Sequence, residues 1–398
     1  MAISEKTTLR HQKWKRDILS IIRQTPDASR ILVKRKSGLS MDSTLSLVEE
    51  LLREGLILTT GKAESAKAGR KATLLEINPQ GAYFIGVRFI AEGISGALMD
   101  FSCQTVTSRR VELSPQPQES ELVDGILSCI GELIDALGED ASRLRGIGLG
   151  APGIIDLDEG LIVRYAHMPG IRSLPLRRIV EEKFGVPTYL EHGVKCSARA
   201  ALSQSALSSV RDLLFMQTGR GVHMCVIIGG RIHGGANYLS GEIGHMLTSG
   251  DQSVESLISS SALCQRAQDA LDRGDERFFI LKSLHAQRIT LDMLISAAAR
   301  GCAGCQALLT QAGEAAGTAL ASAIMIVNPR DILLNGTLCA SPCFERAVRA
   351  TLKARCIPES LSGMNLRFIA SDPRQDATGA AMIPFHRQFS ISRDNDAD

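Results

Sequence analysis

Aromatic side chains are scarce in this chain. Phe, Tyr and Trp make up 4% of its 398 residues, with a single Trp. Its cores must therefore be aliphatic, and its 36 glycines imply many turns. Long apolar runs are also missing. No stretch approaches the roughly 18 uninterrupted apolar residues of a bilayer span. The opening "MAISEKTTLRHQKWKRDILS" is basic but has no apolar centre, so it does not read as a secretory signal. A membrane partner is not expected, and the expected compartment is the cytoplasm. The ten cysteines are dispersed rather than clustered, which argues for reduced thiols and against a disulfide framework.

Length predicts two to three domains. The net charge of +2 conceals an asymmetry. Residues 1–75 hold 15 Lys and Arg against 8 Asp and Glu, or +7, whereas the remainder holds 30 against 35, or −5. A basic head on an acidic body points to a polyanionic partner for the head.

In the head, helical spacing runs from Trp14 to Gln24, stopping before Pro26. A second helix opens at the N-cap Ser29 and stops at Gly38, and a third runs from Ser40 to about Arg53 before Gly55. Next, "LILTTGKAESAKAGRKATLLEI" reads as strand, long polar tip, strand. Three helices and a hairpin are the pattern of a winged helix-turn-helix, whose third helix enters the major groove of double-stranded DNA. Met41, Asp42, Ser43, Thr44 and Ser46 then fall where base edges are read. Arg30, Lys34, Arg35 and Lys36 are candidates for phosphates, and Lys67, Arg70 and Lys71 for backbone or minor groove. The alternative is a helical interaction module.

In the body, "GAYFIGVRFIAEGISGALMDF" reads as two strands and a tight turn, and "RLRGIGLGAPGIIDLDEG" as a buried strand entering a Gly/Pro loop. "FGVPTYLEHGVKCSARAALSQ" reads as a strand and a small-residue helix. Two strands around a Gly-rich turn recur in "VRDLLFMQTGRGVHMCVIIGGRIHGG", and "GTALASAIMIVNPRDILLNGTL" reads as helix then strand. This repetition predicts two similar α/β lobes with a ligand cleft.

Later, "GEIGHMLTSGDQSVESL" places Glu242, His245 and Glu255 about a short polar loop. These residue types suit a metal, a proton relay or a polyol.

Through "SRILVKRKSGLSMDSTLSLVEELLREGLI", "GLGAPGIID", "QTGRGVHMCVIIGGRIHGGANYLSGEIGH" and "NPRDILLNG", the chain resembles the ROK family (repressors, open reading frames, kinases), in its branch of sugar-responsive repressors. The resemblance implies an α/β fold, a winged helix-turn-helix followed by a two-lobed, actin-like, ribonuclease-H-type body. The implied domains are 1–77 for the head, 78–195 and 196–385 for the lobes, and 386–398 for a polar tail.

The same resemblance sets tests. The kinases' Asp-x-Gly-Gly-Thr phosphate loop falls on Arg88 and on Ile90, Ala91 and Glu92. Their Asn-Asp pair, whose Asp is the general base, falls on His192 and Gly193, and glycine takes no proton. The Gly-rich Thr218–Gly221 turn is kept, while a later Gly-Gly becomes Asn335-Gly336. Two of three zinc thiolates are deleted and the third becomes Ser253, so neither metal nor other cofactor is expected. The sugar-contacting positions remain as Glu242, His245 and Glu255.

The expectation is a non-enzymatic DNA-binding regulator, a repressor, responsive to a sugar or sugar derivative and assembled as a homodimer or homotetramer. Two alternatives stand beside it, a ROK-type sugar kinase with an appended DNA-binding domain and a ligand-independent DNA-binding oligomer.

Overall fold

The computed structural model describes residues 2–62, 72–203, 207, 210–249, 251–283 and 289–389. The chain begins with α1 (Ala2–Gln24), α2 (Arg30–Ser37) and α3 (Met41–Arg53), then β1 (Ile57–Lys62) and β2 (Thr73–Ile77), an antiparallel pair. The caps form as expected. Ser29 Oγ accepts from the Leu32 amide, Ser40 Oγ from the Ser43 amide, and Gly38 ends α2 at φ 71°. α1 starts well before Trp14, where apolar periodicity first shows. Its earlier residues are mostly polar, and charge helps hold the helix on α3. Lys15 and His11 contact the Glu50 carboxylate at 3.0 and 2.8 Å.

The next elements are β3 (Tyr83–Ile90), β4 (Gly93–Asp100), β5 (Thr105–Glu112), α4 (Glu119–Asp135) and β6 (Leu144–Ala151). A small sheet follows, β7 (Ile154–Asp156), β8 (Leu161–Tyr165) and β9 (Met168–Leu174), then α5 (Leu176–Phe184), β10 (Thr188–His192) and α6 (Gly193–Ser203). The main sheet has the order β10-β6-β3-β4-β5, with β3, β6 and β10 parallel and the β3-β4-β5 meander antiparallel.

Further along are β11 (Leu213–Thr218), β12 (Val222–Ile228), β13 (Arg231–Ile232), β14 (Leu247–Ser249), β15 (Gln252–Ser253), α7 (Val254–Ile258), α8 (Ser260–Asp272), α9 (Phe279–Lys282), α10 (Leu291–Ala299) and α11 (Ala303–Val327). β16 (Asp331–Asn335), α12 (Pro342–Arg355), α13 (Pro358–Leu361) and β17 (Asn365–Ile369) complete this part. Its sheet has the order β13-β12-β11-β16-β17. Taken in order of appearance, both sheets run third, second, first, fourth, fifth, so the repetition seen in sequence is a repetition of topology.

The last helix, α14 (Pro373–Phe389), changes the expected boundaries. The chain divides into one compact unit of 1–204 with 373–398 and a second of 205–372. The expected lobes of 78–195 and 196–385 are therefore corrected, because α6 and α14 both belong to the first unit. The cause is direct backbone packing. A Cβ on Gly379 of α14 would lie 1.9 Å from the Cys196 carbonyl oxygen, and one on Gly148 of β6 would lie 1.9 Å from that of Ala380. The expected tail from residue 386 is likewise shortened by α14, and "SISRDNDAD" lies outside the described residues.

The first three helices share a core with β3, β4 and α14, through Ile18, Ile22, Leu47, Leu51, Phe84, Phe101 and Phe385. Arg23 joins the layers. Its Nη2 donates to the Phe101 carbonyl at 2.8 Å, and its guanidinium lies over the Phe101 and Phe385 rings at 5.3 and 4.8 Å. Among the described residues, no helix is long and apolar enough to cross a membrane.

Candidate functional site

In the second unit the site is built on the β11–β12 hairpin. Gly241 has φ 92°, and a Cβ there would lie 1.8 Å from the Met224 carbonyl oxygen. Only glycine brings the segment this close to β12, where the Met224 amide donates to the Gly241 carbonyl at 2.8 Å. Gly244 approaches in the same way, its Cβ position 2.6 Å from the Val222 carbonyl oxygen. The two glycines of "GEIGH" thereby fix Glu242 beside β12.

Glu242 Oε2 lies 3.5 Å from His223 Nδ1, both side chains being more than a third exposed. Its side chain makes no helix-capping bond to the following turn. Glu255, on the first turn of α7, accepts from the Val222 amide at 3.0 Å. Cβ positions on Gly221 and Gly244 fall 3.3 and 3.1 Å from Glu255 Oε2, and the former also lies 2.7 Å from His223 Nε2. Glu242, Glu255 and His223 therefore gather over the hairpin turn. His245 stands apart. Its amide donates to the Glu242 carbonyl at 3.2 Å, while its imidazole is exposed and makes no hydrogen bond or ion pair among the described residues. His223 was missed in the sequence, where the signal is a lone imidazole in the apolar strand "VHMCVII", two residues after Gly221.

The donor set does not fit the zinc of the family resemblance. Ser253, at a thiolate position, is the N-cap of α7 and accepts from the Ser256 amide at 3.2 Å. Among the described residues, no group of three or more His, Cys, Asp or Glu could hold a metal ion.

The phosphate-cradling positions are also engaged otherwise. The Ala91 amide donates to the Tyr165 hydroxyl at 3.2 Å, and Ile90 is exposed. The Thr218–Gly221 turn closes on itself through a 3.1 Å bond from the Gly219 amide to the Gly221 carbonyl. Asn335 Oδ1 accepts from Gln217 at 3.3 Å, and Gly336 packs against Thr218.

In the first unit, Gly193, where the sequence resemblance led us to expect the counterpart of the kinases' base, opens α6. Arg88 fills the adjoining space, where a Cβ on Gly193 would lie 2.2 Å from Arg88 Cζ. Around Cys196 stand Glu191, Arg88, Arg199 and Asp376, and burial, with Glu191 beside it, pushes the thiol up to about 12.

In the head, Met41, Asp42 and Ser46 are exposed at the start of α3, with Ser43 half-buried beside them. Thr44 is a correction. It is fully buried, its hydroxyl donating to the Ser40 carbonyl at 2.9 Å, so it cannot face a base edge. Lys34 and Arg35 are exposed. Arg30 is tied to Glu49 at 2.5 Å, and Lys36 donates to the Thr25 hydroxyl at 2.8 Å. Lys67, Arg70 and Lys71 lie outside the described residues.

Two α/β units of like topology define a sugar-kinase-like fold. The ROK family model matches residues 84–384, and the chain belongs to the ROK family. It is 25% identical over 377 residues to the DNA-binding transcriptional repressor Mlc of Escherichia coli K12, covering 92% of this chain and 91% of that one. It is 24% identical over 336 residues to the xylose repressor of Caldicellulosiruptor bescii, covering 82% and 84%. In fold it is similar to a ROK family transcriptional regulator, a homologue of the E. coli Mlc protein, with a TM-score of 0.80 at 20% identity over 96% and 98% of the two chains. A ROK family glucokinase from Streptomyces griseus superposes with a TM-score of 0.65 at 19% identity, over 76% of this chain and 99% of that one.

Proposed function

We propose that this chain is a DNA-binding transcriptional regulator of the repressor type, with a kinase-like body that recognises a carbohydrate and carries out no phosphoryl transfer. The observation that carries the reading is a pairing of opposites. The proton-acceptor position is Gly193, under the Arg88 guanidinium, while the hydroxyl-recognising Glu242 and Glu255 stay together over the hairpin. Carboxylates accept from sugar hydroxyls, and the imidazoles of His223 and His245 donate or accept.

The head acts as a winged helix-turn-helix. Met41, Asp42, Ser43 and Ser46 face base edges and Lys34 and Arg35 meet phosphates, while Lys67, Arg70 and Lys71, outside the described residues, add positive charge for the DNA backbone. With no arginine on the exposed start of α3, bidentate guanine readout is absent, and backbone contacts supply most of the affinity. Two heads in a homodimer or homotetramer read paired half-sites, and ligand changes DNA affinity through its unequal affinity for two states of the protein.

The test is recovery of genomic fragments bound by the full chain, followed by affinity measurements on the enriched fragment across a salt series. Specific binding is expected, with a salt slope that shrinks in Arg70→Ala and Lys71→Ala. Uniform binding to all fragments, or phosphorylation of a hexose by ATP that is lost in Glu242→Ala, overturns the reading.

A further inference from the structure

The rotation of α3 is fixed by what it buries. Thr44, Leu47, Val48 and Leu51 are its covered residues. Asp42 and Ser46 stand two residues either side of Thr44, about 200° around a helix of about 3.6 residues per turn, so both turn away from the covered side. With Glu49 and Arg53 they form an exposed stripe along the helix.

The members of this stripe differ in what they have left to offer. Glu49 is tied to Arg30, and Arg53 is the last residue of the helix, about three turns from its start. Ser46 carries a hydroxyl, which both donates and accepts and so separates the bases poorly. Beside them on the first turn, Ser43 is held by Ser40, whose hydroxyl donates to it at 2.9 Å and accepts from its amide at 3.1 Å. Asp42 is left. It is the second residue of α3, exposed, and its carboxylate makes no hydrogen bond or ion pair among the described residues. An ionised carboxylate can only accept. In the major groove guanine shows two acceptors, thymine an acceptor and a methyl group, and adenine an acceptor beside its amino group. Cytosine alone shows an amino donor without an acceptor.

We infer that Asp42 is the specificity-determining residue of the head, and that it accepts from the exocyclic amino group of a cytosine in the target DNA. This rests on the reading of the head as a winged helix-turn-helix that offers the start of α3 to the major groove. The base is chosen largely by exclusion. A carboxylate carried in among phosphates is repelled by their charge, and opposite guanine or thymine it meets further acceptors. Only a donor offsets that cost, through a charge-assisted bond. Lys34 and Arg35 then supply affinity, and Asp42 supplies choice. A carboxylate in the first turn also suits the positive end of the helix dipole. That role stabilises the helix whatever the DNA sequence, so it changes binding to every site alike.

The experiment is enrichment of a randomised duplex pool by the full chain, as wild type and as two variants, followed by relative affinities on the selected site and its single-base replacements. The wild type should select a cytosine whose replacement by any other base weakens binding about tenfold. In Asp42→Ala the penalty at that position should fall below about threefold while the other positions keep theirs, and the replaced sites should bind the variant more tightly than they bind wild type. In Asp42→Asn the preference should move to adenine, because an amide matches the amino group and N7 of that base together. A selected site without such a cytosine, penalties that neither variant alters, or weakening by one common factor at every sequence overturns the inference and leaves DNA binding in place. A pool that the wild type does not enrich overturns the regulator reading, and the inference falls with it.

Discussion

The two units treat their chemistry-bearing residues in opposite ways. In the first, around Arg88, Gly193 and Glu191, the charges are enclosed and the backbones of β6, α6 and α14 touch. In the second, Glu242, on a loop pinned by two glycines, and His223, on β12, stand more than a third exposed. On the proposed reading, proton transfer would need a base where Gly193 stands, whereas hydroxyl recognition would need only the exposed acceptors of the second unit. That reading separates the loss of a reaction from the loss of a ligand.

The largest effect should come from disturbing the enclosed side. Gly148→Ala puts a methyl 1.9 Å from the Ala380 carbonyl oxygen, against backbone that cannot swing aside. We expect a loss of at least about 3 kcal/mol in chemical denaturation, or failure to accumulate folded protein. A melting curve matching that of the wild type would show that α14 is not seated as described.

Next is Arg23→Ala, which removes a bond to the Phe101 carbonyl and the stacking on Phe101 and Phe385. About 1–3 kcal/mol should be lost. On the open side, Glu255→Ala and Glu242→Ala should part company. The first strands the Val222 amide and costs about 1–3 kcal/mol together with ligand binding. The second leaves the melting temperature within about 1 kcal/mol of wild type while weakening the ligand, because its partner His223 is exposed. Equal melting shifts in the two would erase the distinction between them.

The smallest effect concerns pH. Burial raises the Glu50 carboxyl, but hydrogen bonds from Lys15 and His11 and their charges outweigh it and hold the group below its ordinary 4.5. A carboxylate depressed on folding stabilises above its unfolded value and loses that contribution as pH falls through the folded one. Glu50→Gln should therefore cost under about 1 kcal/mol near neutral pH, and the difference should shrink as the pH falls below the carboxyl's ordinary value. A cost that grows on acidification would contradict the sign.

The regular elements were legible because they rest on local rules. Ser29, Ser40 and Gly38 cap helices from their sequence positions, and the near-continuous apolar run "YFIGVRFI" marks a buried strand. Long-range backbone contact was not legible. Nothing in the string of small residues around Ala377–Ala381 says that α14 returns to β6 and α6, since that depends on what faces each missing side chain. For the same reason Glu242 and Glu255 could be named but His223 could not. The imidazole enters through a hairpin register, with Val222 and Thr218 paired across the turn, rather than through any motif. Thr44 was misread because helical position alone does not say which face is covered, and the face bearing Leu47, Val48 and Leu51 covers it.

The return of α14 also orders events during synthesis. The core beneath the first three helices includes Phe385, which the ribosome adds only after all of the second unit. Domains generally fold as they emerge, from the N-terminus onward. Here the earliest residues must wait for nearly the latest ones. An abandoned nascent chain therefore lacks part of the seat on which its first three helices pack.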